Sequence, residues 1–154
     1  MHSDSIPKQV FLTHEKNDRE LKKLVNALSK ELQLRGFKVW TDDSISPGSE
    51  WSHEIKKALN ESDAMIALLN RHSFSSSYVR EELEHAFFDE RYKNRLLPVL
   101  IGSLSEEDFS RLPWVLNKMP SLKIKKQKPT KKLAKEIADR FHDLLKDQGG
   151  NNDT

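Results

Sequence analysis

The chain has 154 residues, of which 32% are charged and 36% hydrophobic, and this balance predicts a single water-soluble domain with its own core. The net charge of +2 is too small to imply a polyanionic partner, and the lack of cysteine excludes disulfides, thiolate metal sites and a cysteine nucleophile. No apolar run approaches the roughly 18 residues of a membrane span. The polar segment from Met1 to Lys8 lacks the apolar region of a signal peptide, so we expect no membrane partner and a cytoplasmic location.

A strand and a long amphipathic helix begin the predicted fold. The apolar run Val10 to Leu12 predicts a first strand. The helix after it is expected to be capped by Asn17 or Asp18 and closed by Gly36. The apolar residues of this helix recur at helical spacing: Leu21, Leu24, Val25, Leu28 and Leu32.

Two further strands enclose a second helix. Phe37 to Thr41 alternates apolar and polar residues, which predicts a second strand. The turn-rich loop Asp42 to Gly48 follows, and Ser49 is expected to cap the next helix. Ala64 to Leu69 is a continuous apolar run that indicates a buried third strand. The expected apolar face of the second helix is Trp51, Ile55, Ala58 and Leu59.

The last third of the chain predicts two more strands and a final helix. Leu96 to Ile101 indicates a fourth strand, in which Pro98 suggests an edge position or an irregular strand start. Ser103 to Met119 is expected to be irregular with one short helix, and Leu122 to Ile124 to form a short last strand. Thr130 is expected to cap a final helix with an apolar face of Leu133, Ile137, Phe141 and Leu144.

Strands that alternate with helices imply βαβ units, a parallel sheet and right-handed crossovers. We therefore predict an α/β fold, a flavodoxin-like three-layer sandwich whose central parallel sheet has about five strands in the order 2-1-3-4-5. The domain is expected to span residues 8–147, with flexible tails at 1–7 and 148–154. Ligands of such sheets bind beyond the carboxyl ends of the strands where strand order reverses, which is here between strands one and three.

One helix starts at that crevice. A serine-rich turn from Ser73 leads into it, and it is expected to run to Phe88. At about 100° per residue, Glu82 borders the apolar side of this helix, whereas Glu81 and Glu84 point further towards solvent. Glu82 is therefore predicted to place a carboxylate at the margin of the core, close to the end of a strand. The alternative is a solvated carboxylate that only complements the helix dipole.

Taken in order, these segments resemble the TIR domain family from Val10 to about Leu145. Val10 to His14 resembles the first-strand motif, and Arg35 to Asp42 resembles the entry to the second strand. Ser46 to Gly48 resembles the end of the family's mobile loop. Ser73 to Leu83 resembles the serine-rich motif that ends in an aromatic residue and a glutamate. Each segment alone is a weak signal, but their order along the chain is specific.

The resemblance implies an NAD+ nucleosidase that acts in immune or cell-death signalling. In NAD-cleaving members, the glutamate four residues after the aromatic residue is catalytic, and that spacing runs here from Tyr78 to Glu82. NAD+ would be the substrate, no cofactor is expected, and the products are nicotinamide with ADP-ribose or with a cyclic ADP-ribose isomer. The residues that the resemblance suggests for substrate binding are Thr13, His14, Lys16, Tyr78 and Asp42.

Three departures from the family pattern accompany these assignments. Tyr78 stands where tryptophan is usual, Thr13 stands where serine is usual, and the loop from Asp42 to Gly48 is about one residue short. Catalytic TIR domains often build their site across two protomers, so the resemblance also implies self-association, or contact with other TIR domains, through this loop. A non-enzymatic TIR–TIR scaffold is the alternative function.

A lysine cluster near the end of the chain is the main asymmetry of charge. Nucleic-acid binding is unlikely to be its role, because no aromatic residues are interleaved to stack on bases. A solvated face is the expected role. The cluster consists of Lys123, Lys125, Lys126, Lys128, Lys131, Lys132 and Lys135.

Overall fold

The computed structural model describes residues 6–15, 18–41, 45, 50–73, 76–111, 116, 119–125 and 128–151. At positions 51, 77, 78, 109 and 147–151 it describes the backbone only. Within these residues the strands are Val10–Thr13 (β1), Val39–Trp40 (β2), Ala64–Leu69 (β3), Leu96–Ile101 (β4) and Leu122–Ile124 (β5). The α-helices are Arg19–Leu34 (α1), Trp51–Glu61 (α2), Ser77–Phe88 (α3), Glu106–Ser110 (α4) and Thr130–Asn151 (α5).

The strands form one sheet in the order β2-β1-β3-β4-β5, and every neighbouring pair is parallel. This confirms the predicted strand order. β1 is central to it, since Val10 is in register with Val39 of β2 on one side and with Ala64 of β3 on the other. Strand order therefore reverses at β1, and the crevice beyond the carboxyl ends of β1 and β3 is the expected ligand position.

Both faces of the sheet are covered by helices. Side chains alternate across a strand, so Val10 and Leu12 pack on the side of α1 and α5, and Phe11 packs on the side of α2 and α3. All three are fully buried. The continuous apolar runs of β1 and β3 thus reflect burial on two faces, as in other parallel sheets.

The first helix begins and ends where the sequence predicts. The Asp18 side chain accepts a hydrogen bond from the Leu21 amide at 3.1 Å, which makes Asp18 its N-cap. Gly36, with φ of 94°, follows the helix, and the Phe37 amide donates back to the Leu32 carbonyl at 3.0 Å. A glycine suits this position because L-residues with a side chain rarely adopt a positive φ.

Two other predicted caps are wrong by one residue. The Glu50 carbonyl accepts the first hydrogen bond of α2, from the Glu54 amide at 3.1 Å, so Glu50 occupies the cap position that was predicted for Ser49. Ser49 lies outside the described residues. In α5 the Leu133 amide donates to the Pro129 carbonyl at 3.0 Å, so the helix begins at Thr130 instead of being capped by it.

The second and fourth strands differ in detail from their predictions. β2 has only residues 39–40 instead of 37–41. β4 lies between β3 and β5 and is not an edge strand. Pro98 is tolerated there because pairing with β5 begins one residue later, where Val99 is in register with Leu122.

The last helix is described beyond the predicted end of the domain, and the domain boundary itself stays a prediction. α5 continues to Asn151, past the expected boundary at residue 147. Residues 1–5 and 152–154 of the predicted tails lie outside the described residues, and their flexibility stays a prediction. Among the helices that the structure describes, none combines the length and apolar character needed to cross a bilayer.

Candidate functional site

The end of β1 and the second turn of α3 meet at the point where strand order reverses. Thr13 is the last residue of β1 and is in register with Ala67 of β3. The Thr13 hydroxyl donates a hydrogen bond to Oε1 of Glu82. These residues are 69 positions apart in the sequence, so the fold alone brings them together.

Glu82 is more deeply buried than its predicted place at the margin of the core. Its residue surface is 2% exposed, and that of Thr13 is 1% exposed. Its neighbours Glu81 and Glu84 are exposed, as helical periodicity predicted. A carboxylate in such surroundings needs hydrogen-bond donors, because burial of an unpaired charge is costly. The Thr13 hydroxyl is one such donor.

His14 belongs to the same corner of the molecule. It directly follows Thr13 at the carboxyl end of β1 and is 5% exposed. Of the suggested residues, the structure therefore joins Thr13 and Glu82 by a hydrogen bond, and His14 is next to Thr13 in the chain. A buried imidazole beside the end of a central strand can bind a ligand or serve only to fill the core.

The other three suggested residues are placed only in part. Tyr78 lies in the first turn of α3, four residues before Glu82, and the structure describes only its backbone. Lys16 and Asp42 lie outside the described residues, as does most of the loop from Asp42 to Gly48. Their suggested roles in binding stay predictions.

A second contact at the strand-order reversal, between the residue after β3 and the cap of α1, was not predicted from the sequence. Asn70, the first residue after β3, donates from Nδ2 to Oδ2 of Asp18 at 2.7 Å. Asp18 was recognised from the sequence only as a helix cap. A polar residue directly after a buried strand, at the strand-order reversal, was the available signal for Asn70.

Asp18 is held in its charged form. Its burial acts to raise the pKa, but hydrogen bonds from the Leu21 amide and the Asn70 side chain outweigh this effect, so the pKa lies below its ordinary value. The nearby His72 ring acts in the same direction through its charge when protonated. The carboxylate of Asp18 is therefore a stable acceptor for Asn70 at neutral pH.

Two cavities in the described part of the chain lie away from Glu82. One, of about 470 Å³, is at the end of α3 beside Phe88 and Tyr92. The other, of about 500 Å³, is at the carboxyl ends of β4 and β5 beside Lys125 and Lys128. The described residues contain no group of three or more His, Asp or Glu side chains that could hold a metal ion.

The comparisons with known proteins agree with this architecture. A family model described as TIR domain matches residues 10–135. Over 137 residues the chain is 26% identical to a protein named probable 2' cyclic ADP-D-ribose synthase TcpO, from Methanobrevibacter olleyae. The match covers 87% of this chain but 38% of that relative, so the chain spans well under half of the relative's length.

Three solved structures have the same fold at low sequence identity. The TIR domain of the Toll-related receptor TRR-2 from Hydra magnipapillata gives a TM-score of 0.62 at 20% identity and covers 88% of this chain and 96% of its own. A metazoan TIR-STING receptor from C. gigas gives 0.62 at 18%, with coverages of 88% and 38%. The TIR domains of the activated Roq1 resistosome give 0.55 at 20%, with coverages of 90% and 81%.

At these identities the solved structures establish the fold and nothing finer. The family model matches residues 10–135, which is most of the chain. The chain belongs to the TIR domain family.

Proposed function

We propose that this TIR domain cleaves the bond between ribose and nicotinamide in NAD+, and that Glu82 is its catalytic residue. One observation carries the proposal: Glu82 is a buried carboxylate at the strand-order reversal and accepts a hydrogen bond from Thr13 at the end of β1. The relative named as a cyclic ADP-ribose synthase supports the same class of substrate.

The chemistry fits a site with a single carboxylate. The nicotinamide of NAD+ is a pyridinium cation, so it leaves as a neutral base when the electron pair of the C–N bond moves to its nitrogen. No protonation of the leaving group is needed. Positive charge then develops on the ribose, in an oxocarbenium-like transition state. A buried carboxylate stabilises this charge more strongly than an exposed one, because the surrounding dielectric is low.

The attacking group decides the product. Attack by water gives nicotinamide and ADP-ribose, whereas attack by a hydroxyl of the same molecule gives nicotinamide and a cyclic ADP-ribose. The proposal includes both outcomes. Thr13, His14, Lys16, Tyr78 and Asp42 are proposed to bind the substrate. Signalling in immunity or cell death is the proposed setting for the reaction.

Release of nicotinamide from NAD+ tests the proposal. We expect release by the wild type and a loss of at least about a hundredfold in Glu82→Gln, which keeps the size of the side chain and removes its charge. Glu81→Gln is the matched control, since it makes the same change at an exposed residue one position away. The mass of the co-product, which is smaller by one water in a cyclic product, separates the two reactions.

The assay needs a series of protein concentrations. The proposal includes self-association through the Asp42–Gly48 loop, so the specific activity is expected to rise with concentration. Release that is unchanged in Glu82→Gln removes the catalytic assignment.

Deep burial of Glu82 favours one alternative function. A carboxylate that is 2% exposed and bonded to Thr13 also suits a purely structural role in a TIR–TIR scaffold. In that case the wild type releases no nicotinamide at any concentration. Binding to another TIR domain then survives Glu82→Ala and is lost in Pro47→Ala or Gly48→Ala.

A further inference from the structure

A side-chain hydrogen bond joins the two loops that leave the strand-order reversal. Asn70 follows β3, and its Nδ2 donates to Oδ2 of Asp18 at 2.7 Å. Asp18 caps α1 at the end of the loop that begins after Thr13. We call this contact the Asn70–Asp18 bridge. It joins the β1–α1 loop, which follows Thr13 in the chain, to the β3–α3 loop, which precedes the helix that carries Glu82.

The β3 side of the bridge is connected to the start of α3 by short-range hydrogen bonds. Oδ1 of Asn70 accepts from the amides of His72 at 3.0 Å and Ser73 at 3.2 Å. The Ser73 carbonyl accepts from the Ser76 amide at 3.1 Å, and Ser76 caps α3 through the Val79 amide at 3.5 Å. The position of Asn70 therefore fixes the start of the helix that carries Glu82.

The β1 side of the bridge is fixed in a similar way. Oδ1 of Asp18 accepts from the Leu21 amide at 3.1 Å, so one oxygen caps α1 while the other accepts from Asn70. The Asp18 amide donates to the Glu15 carbonyl at 3.3 Å, and this ties the cap back to the segment after Thr13 and His14. Both ends of the bridge thus lead to residues of the proposed site.

We propose that the Asn70–Asp18 bridge sets the spacing between Thr13 and Glu82, and that Asn70 and Asp18 are positioning residues for the reaction. The inference rests on the proposed function for its catalytic part. Neither residue is proposed to touch the reacting atoms. They act by holding the two loops so that Glu82 keeps its alignment with Thr13.

Asparagine is suited to this place by its chemistry. The side chain at this position must donate to Asp18 through its nitrogen and accept from the His72 and Ser73 amides through its oxygen. An amide group carries both a donor and an acceptor, whereas a carboxylate only accepts when ionised. Asn70→Asp therefore keeps the acceptor for the loop and replaces the donor by a second negative charge facing Asp18.

A reversal of the bridge tests the proposal. Asn70→Asp removes the bridge, and the double variant Asn70→Asp with Asp18→Asn restores it with donor and acceptor exchanged. Asp18→Ser is a second single variant, because serine caps helices well but is too short to reach Asn70. Each protein is measured for kcat and KM of nicotinamide release and for the 13C shift of the Glu82 side-chain carboxyl.

We expect kcat to fall about tenfold or more in both single variants and KM to change much less, because a small displacement of a catalytic group costs rate. The double variant is expected to recover most of the loss. The Glu82 carboxyl shift should move in the single variants and return in the double variant. If Asn70→Asp does not fold, Asp18→Ser and the double variant still test whether the bridge positions Glu82.

Failure of the bridge and failure of the proposed function give different results. A wild type that releases no nicotinamide overturns the proposed function. The 13C shift of the Glu82 carboxyl in the variants then tests by itself whether the bridge positions Glu82. An active wild type with an unchanged Glu82 shift in folded single variants overturns the bridge and leaves the function standing. A double variant that remains as impaired as Asn70→Asp also overturns it.

Discussion

At the scale of single residues, the contact between Thr13 and Glu82 combines stability with the proposed chemistry. Both side chains are buried, so neither finds water as a substitute partner. A hydroxyl donor favours the carboxylate and orients one of its oxygens. The methyl group of Thr13 packs in addition, and this part of the residue is independent of the hydrogen bond.

Thr13→Val removes the donor and keeps the shape of the side chain. We expect the free energy of unfolding to fall by about 1–3 kcal/mol, because a buried acceptor loses one hydrogen-bond donor. Nicotinamide release should fall as well. Urea unfolding and the nicotinamide assay measure the two effects.

Thr13→Ser is the control for this change. Serine keeps the hydroxyl and loses one methyl group, so we expect a stability loss of about 1 kcal/mol and activity close to that of the wild type. Equal activities of the valine and serine variants would contradict a role for the hydroxyl in orienting Glu82.

At the scale of elements, the end of α1 depends on one backbone conformation. Gly36 has φ of 94°, and a methyl group added there would meet nothing within 4 Å. Gly36→Ala is therefore expected to lower the free energy of unfolding by about 1–2 kcal/mol through backbone strain alone. Gly36→Asn should cost less, because asparagine tolerates this conformation better. A stability of Gly36→Ala equal to that of the wild type in urea unfolding would contradict this explanation.

The turn after α3 makes the free energy of unfolding depend on pH. Hydrogen bonds from Arg91, only partly opposed by burial, lower the pKa of Asp89 to about 2, from an ordinary value of 3.8. The Arg91 guanidinium lies 2.6 Å from Oδ2 of Asp89, and the His85 ring lies 3.6 Å from the same oxygen. Because the folded state holds the ionised form, this contribution is complete above the ordinary pKa and is lost as the pH falls towards 2.

Urea unfolding between pH 6 and pH 3 checks this expectation. The midpoint of the wild type should fall as the pH drops below about 4, and Asp89→Asn should reduce that dependence. Glu84→Gln, an exposed change on α3 just before this turn, is the control. An identical slope for Asp89→Asn and the wild type would show that the Arg91 contact contributes nothing to acid stability.

Elements buried on both faces were predictable, whereas the extent of β2 and the caps of α2 and α5 were not. β3 and β4 match their predicted bounds because continuous apolar runs leave little choice of register. β2 is shorter because it is an edge strand, and pairing with β1 limits it to Val39 and Trp40. The caps at Glu50 and Pro129 use backbone carbonyls, which carry no side-chain signal.

The proposed site was predictable only in part, for a similar reason. Helical periodicity separated Glu82 from Glu81 and Glu84, because that distinction is local. The bond from Thr13 to Glu82 and the bond from Asn70 to Asp18 are not local, since they join residues 69 and 52 positions apart. Such contacts depend on strand order and register, which one sequence pattern alone does not fix.

At the scale of the whole molecule, the strand order decides which segments share the proposed site. β1 lies between β2 and β3, so the first loop of the chain and the loop after β3 open at the same edge of the sheet. The lysines near the end of the chain make the charge around this sheet uneven. Lys123 lies on β5, the edge strand opposite β2, and Lys128 pairs with Glu136 at 2.7 Å.

The central position of β1 has a kinetic consequence. Thr13 reaches Glu82 only after β1 has paired with β3, and this pairing closes a long loop at an entropic cost. Helices form on much shorter times than such distant strand pairs. On dilution from urea, we therefore expect far-ultraviolet circular dichroism to recover before nicotinamide release. Activity that returned in step with the first helical signal would contradict this order. If the expected order holds, nicotinamide release reports the completion of the sheet. Stalled folding intermediates of this protein are then helical but release no nicotinamide.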